Sequence, residues 1–240
     1  MNAIVLAAGN GDRFHNRTRD SKLLHPLLGQ PLLLRTLDTA RDAGVDAITV
    51  VLGYQADRVR ALVEGAPLSG LKVSFALNPD WRLENGVSVL AARGSIDTER
   101  FAVLMGDHVF EAAVLRRLLQ YSMSSDESVL AVDARPVSPA IAAEATKVRR
   151  DDSRIVAIGK DLTEYDALDT GMFVCSPLLF DALEASRAQG DTTLSGGIRQ
   201  LAARGLMRAV EVGNATWCDI DTVSDLEAAE TALGATCERA

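Results

Sequence analysis

Short apolar runs alternate with amphipathic stretches through the first half of this chain, and that rhythm limits the fold more than any single motif. Residues 3–8 read as a strand. Residues 32–43 carry helical spacing and stop at Gly44, and residues 47–52 are strand-like and stop at Gly53. The series continues with a helix over 56–63, a strand over 71–77, a helix over 87–92 with Asn85 as its cap, and a strand over 101–105 ended by Gly106 and Asp107. Repeated β-α units imply a parallel sheet covered by helices on both faces, because parallel strands need a crossover connection. The rhythm changes after residues 129–132. Residues 146–150 and 154–158 alternate on either side of Asp151, Asp152 and Ser153, which is the pattern of a hairpin. A strand over 170–175, a helix opened by Pro177, a helix over 198–204, a strand over 207–212 and a last helix over 226–232 complete the expectation. The expected class is therefore α/β: a Rossmann-like mixed, mainly parallel sheet flanked by helices, with a small antiparallel insert at about 140–168.

The 240 residues suit one domain, 1–240, and an apolar content of 48% supplies a full core. No apolar stretch approaches bilayer length, and no basic segment followed by an apolar one precedes the first strand, so a cytoplasmic protein with no membrane contact is expected. With 25 basic and 33 acidic residues the net charge is −8, which argues against a nucleic-acid partner. Cys175, Cys218 and Cys237 are odd in number and widely spaced, and suit neither a zinc knuckle nor a disulfide framework. Cys175 and Cys218 lie on apolar strands and read as packing residues.

The stretch "LAAGNGDRF" supplies the first chemistry. Leu6, Ala7, Ala8, Gly9, Asn10 and Gly11 follow the first strand, and ligands of parallel sheets sit at the carboxyl ends of strands. Small residues there let backbone N–H groups approach a phosphate. A dinucleotide fingerprint would need a third glycine where Phe14 stands. A P-loop would need Lys-Ser or Lys-Thr after Gly11, which is followed by Asp12 and Arg13. The glycines alone fit a plain turn at least as well. Arg13 and Lys22 then bracket the polar loop "HNRTRDSK", in which His15 reads as a loop residue, as does His25 beyond it.

Leu6 to Arg13, Lys22, and the turn Gly29-Gln30-Pro31-Leu32 together resemble the signature of the sugar-phosphate-type nucleotidyltransferases. That signature is Leu-Ala-Ala-Gly-x-Gly-x-Arg, a later lysine, and Gly-x-Pro-Leu before the first long helix. The family places Pro before its lysine, where this chain has Ser21. "LMGDHVF" is similar to the family's metal-binding strand end, and "WCDIDTVSDLEAA" to its second metal-binding segment and final helix. "IGKDLTEYDALDTGMFVCS" resembles the cytidylyltransferases that activate inositol phosphate. "ENGVSVLAA" resembles an element shared with the phosphocholine enzymes. The resemblance covers nearly the whole chain.

It implies the nucleotide-diphospho-sugar transferase fold and a defined reaction. CMP would pass from CTP to a small phosphate monoester, inositol 1-phosphate foremost, with Mg²⁺ and release of pyrophosphate. Such a reaction brings two anions together, so cations and a divalent metal do most of the work. By the resemblance, Arg13 and Lys22 bind the triphosphate and Lys160 the acceptor's phosphate. Asp107 and Asp219 hold Mg²⁺, and Asp221 is a third ligand or lies behind the ligands. Leu6 to Gly11 form the nucleotide loop, and Asn85, Gly86 and Ser88 contact the base. Read without the resemblance, Asp107 is a turn residue, Asp221 a helix cap, and Arg13 and Lys22 solvated loop charges. His108 is at most a residue behind the metal ligands or a substrate contact, since a phosphate monoester needs no general base. Arg149, Arg150 and Arg154 read as solvated hairpin charges. The near alternative is the same chemistry with UTP, GTP or dTTP, or with a cyclitol phosphate, phosphocholine or hexose 1-phosphate as acceptor. The distant one is a nucleotide-binding regulatory module without turnover. In the inositol-phosphate family a membrane-embedded lipid synthase can be fused to this domain. Here that activity is expected on a separate protein.

Overall fold

The computed structural model describes residues 1–14 and 20–237, so His15 lies outside the described residues. In chain order the strands are β1 (Asn2–Ala7), β2 (Pro26–Leu27), β3 (Gln30–Pro31), β4 (Ala47–Leu52), β5 (Lys72–Leu77), β6 (Phe101–Met105), β7 (His108–Phe110), β8 (Ser128–Asp133), β9 (Lys147–Asp151), β10 (Arg154–Gly159), β11 (Ala167–Cys175), β12 (Met207–Glu211) and β13 (Trp217–Asp219). The helices are α1 (Leu32–Ala43), α2 (Ala56–Glu64), α3 (Asn85–Ala91), α4 (Ala112–Leu119), α5 (Pro139–Glu144), α6 (Leu178–Ala188), α7 (Leu194–Ala203) and α8 (Val223–Cys237).

One nine-stranded sheet runs in the order β5-β4-β1-β6-β11-β8-β12-β10-β9. Its first four strands are parallel, in the expected βαβ sense. β11 is antiparallel to both β6 and β8, which makes the sheet mixed. The expected hairpin is β9-β10, turning at Asp152 with φ of 56°. It is no separate layer, because β10 pairs with β12 and β9 with the first residues of β11. β11 thus pairs with three strands, and its register to β8 breaks between Asp169 and Phe173, where Gly171 takes a φ of +74° that favours glycine.

Each face of the sheet has its own core. Leu33 and Leu37 of α1, Val59 and Val63 of α2, and Val114, Leu115 and Leu118 of α4 pack on one face. Val89 of α3, Leu179 and Leu183 of α6, and Ile198 and Leu201 of α7 pack on the other. α1 shows why the sequence was readable: Leu33, Thr36, Leu37, Ala40 and Ala43 are buried at helical spacing, and Gly44 closes the helix at φ of 107°. A third, smaller cluster joins Phe14, Leu27, Leu32, Val109, Ile220 and Leu226, and so ties the segment after β1 to α8. Burial of Phe14 alone stabilises that link by about 2 kcal/mol.

Two expectations are corrected. Asn85 does not cap α3; it is the helix's first residue, and its Oδ1 accepts a hydrogen bond from the Leu194 N–H at 2.8 Å, at the start of α7. The short pieces β2, β3 and β7 were not anticipated, since elements of two or three residues carry no periodic signal, and neither were the helices α4 and α5.

Gly86 sits where α3 meets α7. Its N–H donates to the Thr192 carbonyl at 3.0 Å, and an added Cβ would lie 2.6 Å from that oxygen. Backbone cannot yield as a side-chain tip can. Gly86→Ala should therefore lower stability by about 1–3 kcal/mol in denaturant unfolding, and an unchanged midpoint would contradict this packing role.

Candidate active site

A cleft of about 330 Å³ opens at the carboxyl ends of β1 and β6, lined by Leu6, Ala7, Gly9, Asn10, Gly11, Arg13, Lys22, Asp107 and Asp221 among others. The chain after β1 turns at once: the Phe14 N–H donates to the Gly11 carbonyl at 2.8 Å, and buried Phe14 anchors the turn that presents Arg13. Gly11 takes a φ of +63°, and a Cβ there would press on the Lys22 stem at 3.2 Å. The glycine spacing thus makes room for the lysine as well as exposing backbone N–H groups to the cleft.

Lys22 is only 7% exposed. Its Nζ lies 2.7 Å from Asp107 Oδ2 and 2.9 Å from Asp221 Oδ1. Burial pulls its pKa down, but the carboxylates of Asp107, Asp219 and Asp221 outweigh that and hold it above the ordinary lysine value. Asp221 is shared, because its Oδ2 lies 2.6 Å from Arg13 Nη2. The other guanidinium nitrogen, Nη1, reaches Glu144 of α5 at 3.4 Å. Asp221 is not the helix cap it would be by sequence alone. Thr222 and Asp225 make the reciprocal cap of α8, with Asp225 Oδ2 accepting from the N–H groups of Asp221 and Thr222 at 3.1 and 2.7 Å. That leaves the Asp221 carboxylate for the cations.

Asp219 arrives by another route. β13 pairs with β7 so that Asp219 stands opposite His108. The Trp217 indole N–H, two residues earlier, donates to Asp133 Oδ2 at 2.8 Å, and Arg135 also pairs with Asp133, which fixes β13 against β8. His108 Nδ1 donates to the Thr170 carbonyl at 2.9 Å, which turns Nε2 toward Asp219 at 3.5 Å and Asp107 at 3.9 Å. Gly171 makes this possible, since a Cβ there would meet the imidazole at 2.5 Å. Burial lowers the His108 pKa, but the two carboxylates and the Thr170 carbonyl prevail and push it up to about 9. Burial would raise the Asp219 pKa, yet His108 and Lys22 hold it well below the carboxylate range. One ligand atom each from Asp107, His108 and Asp219 lies within 4.8 Å of the others. Two carboxylates at that spacing, with Asp107 in the cleft lining, are a donor set that a hard divalent cation accepts.

The structure brings Arg13, Lys22, Asp107, Asp219 and Asp221 together, with Leu6, Ala7, Gly9, Asn10 and Gly11 in the cleft lining, whereas Ala8 is buried in the core of the other sheet face. It does not bring Lys160, Asn85, Gly86 or Ser88 into the cleft lining. Lys160 is exposed in the turn after β10, and its carbonyl accepts from the Lys147 ammonium. Ser88 is buried and its Oγ accepts from Asn78 Nδ2 at 3.0 Å, while Asn85 and Gly86 face α7. Arg150 is not a solvated charge: its side chain is 14% exposed and pairs with Asp166 and Glu211. Sequence reasoning left His108 either behind the ligands or beside substrate, and missed Glu144 and Trp217. Only the register of the short β7-β13 ladder would have shown two of them. Cys175 and Cys218 are packing residues, their thiols pushed by burial up to about 12 and 11.

The model of the MobA-like NTP transferase domain matches residues 3–204. A bifunctional IPC transferase and DIPP synthase of Rubrobacter xylanophilus is 40% identical over 235 residues, which cover 96% of this chain and 51% of the relative. A protein of the same name from Aquifex aeolicus is 33% identical, with 96% and 51% covered. The chain thus spans about half the length of these curated relatives. The structure of the inositol-1-phosphate CTP transferase from T. maritima matches with a TM-score of 0.81 at 26% identity, covering 95% of this chain and 93% of that one. The nucleotide-diphospho-sugar transferase fold expected from the sequence is the fold observed. Among the described residues, no helix is long and apolar enough to cross a membrane.

Removal of the Lys22 ammonium would leave Asp107 and Asp221 facing each other in a half-closed cleft. Lys22→Met should cost about 2 kcal/mol in denaturant unfolding, less than for a fully buried pair because both carboxylates touch solvent. A change below about 0.5 kcal/mol would mean that the lysine is held there by nothing that matters to the fold.

Proposed function

The chain belongs to the MobA-like NTP transferase family, and we propose that it transfers CMP from CTP to inositol 1-phosphate, with Mg²⁺ bound and pyrophosphate released. The observation that carries this reading is the convergence of Arg13, Lys22, Asp107 and Asp221 on one cleft beside the glycine-rich turn. The printed names of the relatives, an IPC transferase and an inositol-1-phosphate CTP transferase, support the choice of acceptor and base.

The backbone N–H groups of Gly9 to Gly11 and the cations Arg13 and Lys22 receive the triphosphate. A phosphate monoester is already anionic near neutrality, so the protein need only align its oxygen with the α-phosphorus. Asp107 and Asp219 hold the metal, which when bound supplies charge to the phosphate oxygens of substrate and leaving group. Asp221 orients the two cations instead of serving as a ligand, because both its oxygens are taken by Arg13 and Lys22. His108 keeps Asp219 in place through Nε2, 3.5 Å from its carboxylate. Lys160 and the insert at 140–168 are assigned to the acceptor's phosphate.

A pyrophosphate-release screen of four nucleoside triphosphates against a panel of phosphate monoesters tests the reading. CTP with inositol 1-phosphate should give the highest kcat/KM. A win for phosphocholine would overturn the acceptor, and a win for another triphosphate the base. Lys22→Ala should weaken use of the triphosphate, whereas Lys160→Ala should raise KM for the acceptor about tenfold; swapped effects would mean that the two pockets are reversed.

A further inference from the structure

The cleft depends on Lys22, and Lys22 depends on how its turn is entered. Residues 22–24 form a single 3₁₀ turn, in which the Leu24 N–H donates to the Ser21 carbonyl at 3.0 Å. Ser21 is 1% exposed, so its own N–H has no access to water and needs a partner in the protein. That partner is Gln55, whose Oε1 accepts the Ser21 N–H at 3.1 Å. Gln55 precedes α2 in the left-handed region, at φ of 50°, which a non-glycine residue adopts at a cost. Arg58, one turn into α2, pairs with Asp20 and lies 3.3 Å from the same Gln55 oxygen. The Ser21 hydroxyl takes no part: its Oγ is buried without a hydrogen-bond partner.

We infer that Gln55 is the positioning residue for Lys22: its carboxamide stands in for a proline before the lysine. Ser21 has φ of −57°, the angle that proline holds by its ring, and ψ of 132°, which proline adopts freely. Proline at this position would need no acceptor, having no N–H, and would leave no buried hydroxyl. The chain instead keeps a flexible serine and fixes the same backbone angle from outside, through a strained glutamine. The residue that takes the left-handed conformation is the one whose carboxamide accepts the Ser21 N–H.

The pair can be tested by exchange. Gln55→Ala leaves the Ser21 N–H unpaired, and the turn that aims Lys22 loosens. Ser21→Pro alone sets the proline ring against the carboxamide. The double variant removes both the N–H and the group that served it, and should recover. Two readouts separate positioning from plain stability. The first is the rate of Lys22 acylation by acetic anhydride, read by peptide mass spectrometry with Lys72, Lys147 and Lys160 as internal controls. The second is kcat/KM for CTP set against KM for inositol 1-phosphate. Gln55→Ala should speed Lys22 acylation about fivefold and lower kcat/KM for CTP about tenfold, with acceptor KM unchanged. Ser21→Pro/Gln55→Ala should return both toward wild type, and Gln55→Glu, which keeps an accepting oxygen, should label as wild type does. Unchanged labelling in Gln55→Ala, fast labelling in Gln55→Glu, or purely additive effects in the double variant would overturn the inference. The kinetic arm rests on the triphosphate role proposed above. If wild type turns over no CTP, that role falls, and the labelling arm still decides the positioning.

Discussion

One ammonium group, Lys22 Nζ, lies between two carboxylates from the middle and the C-terminal part of the chain, and the arrangement of the cleft follows from it. Asp107 comes from the end of β6 and Asp221 from the approach to α8, and Lys22 brings them within 3 Å of a common point. An unpaired charge in this half-closed site would cost about 2 kcal/mol, so each of the three groups is steadied by the other two. The supports behind them are ordinary packing. Thr36 of α1 lies 3.1 Å from the His108 carbonyl and 3.2 Å from that of Gly106, and so holds the turn that aims Asp107. Phe14, Ile220 and Leu226 hold the other side.

The same charges suit the proposed chemistry. A site for two anionic substrates must hold positive charge without collapsing when it is empty. Here the acidic residues keep Arg13 and Lys22 oriented before any phosphate arrives. A bound triphosphate would compete with Asp221 for both cations, and a divalent metal would take over the charge of Asp107 and Asp219. The carboxylates thereby serve as stand-ins for substrate, which lowers the reorganisation needed on binding. Gly171 marks where this crowding left no room for a Cβ, under the His108 ring, and Gly11 where one would press on the Lys22 stem.

The parallel half of the fold was legible because its signals are long and local. Residues 32–43 and 47–52 are a helix and a strand in the structure as in the sequence reading. The hairpin at 147–159 was legible for the same reason, although its place at the sheet's far edge was not. Of the site, Arg13, Lys22, Asp107, Asp219 and Asp221 could be named from the motifs that carry them. What could not be read was mutual geometry. The β7-β13 ladder has three residues per strand, and no periodicity reveals that it sets Asp219 beside His108. Nor could sequence show that Asn85 and Gly86 spend their polar groups on α7, because that pairing joins segments over a hundred residues apart.

The division of labour among the three aspartates is the central claim, and a spin probe tests it most directly. Mn²⁺ binding in the presence of CTP can be titrated by electron paramagnetic resonance on wild type and on single Asp→Asn variants. Asp107→Asn and Asp219→Asn should each weaken Mn²⁺ binding by an order of magnitude or more, and Asp221→Asn should leave it nearly unchanged while weakening CTP. Loss of Mn²⁺ in Asp221→Asn with retention in Asp219→Asn would contradict the account, and would place the metal where Lys22 now stands.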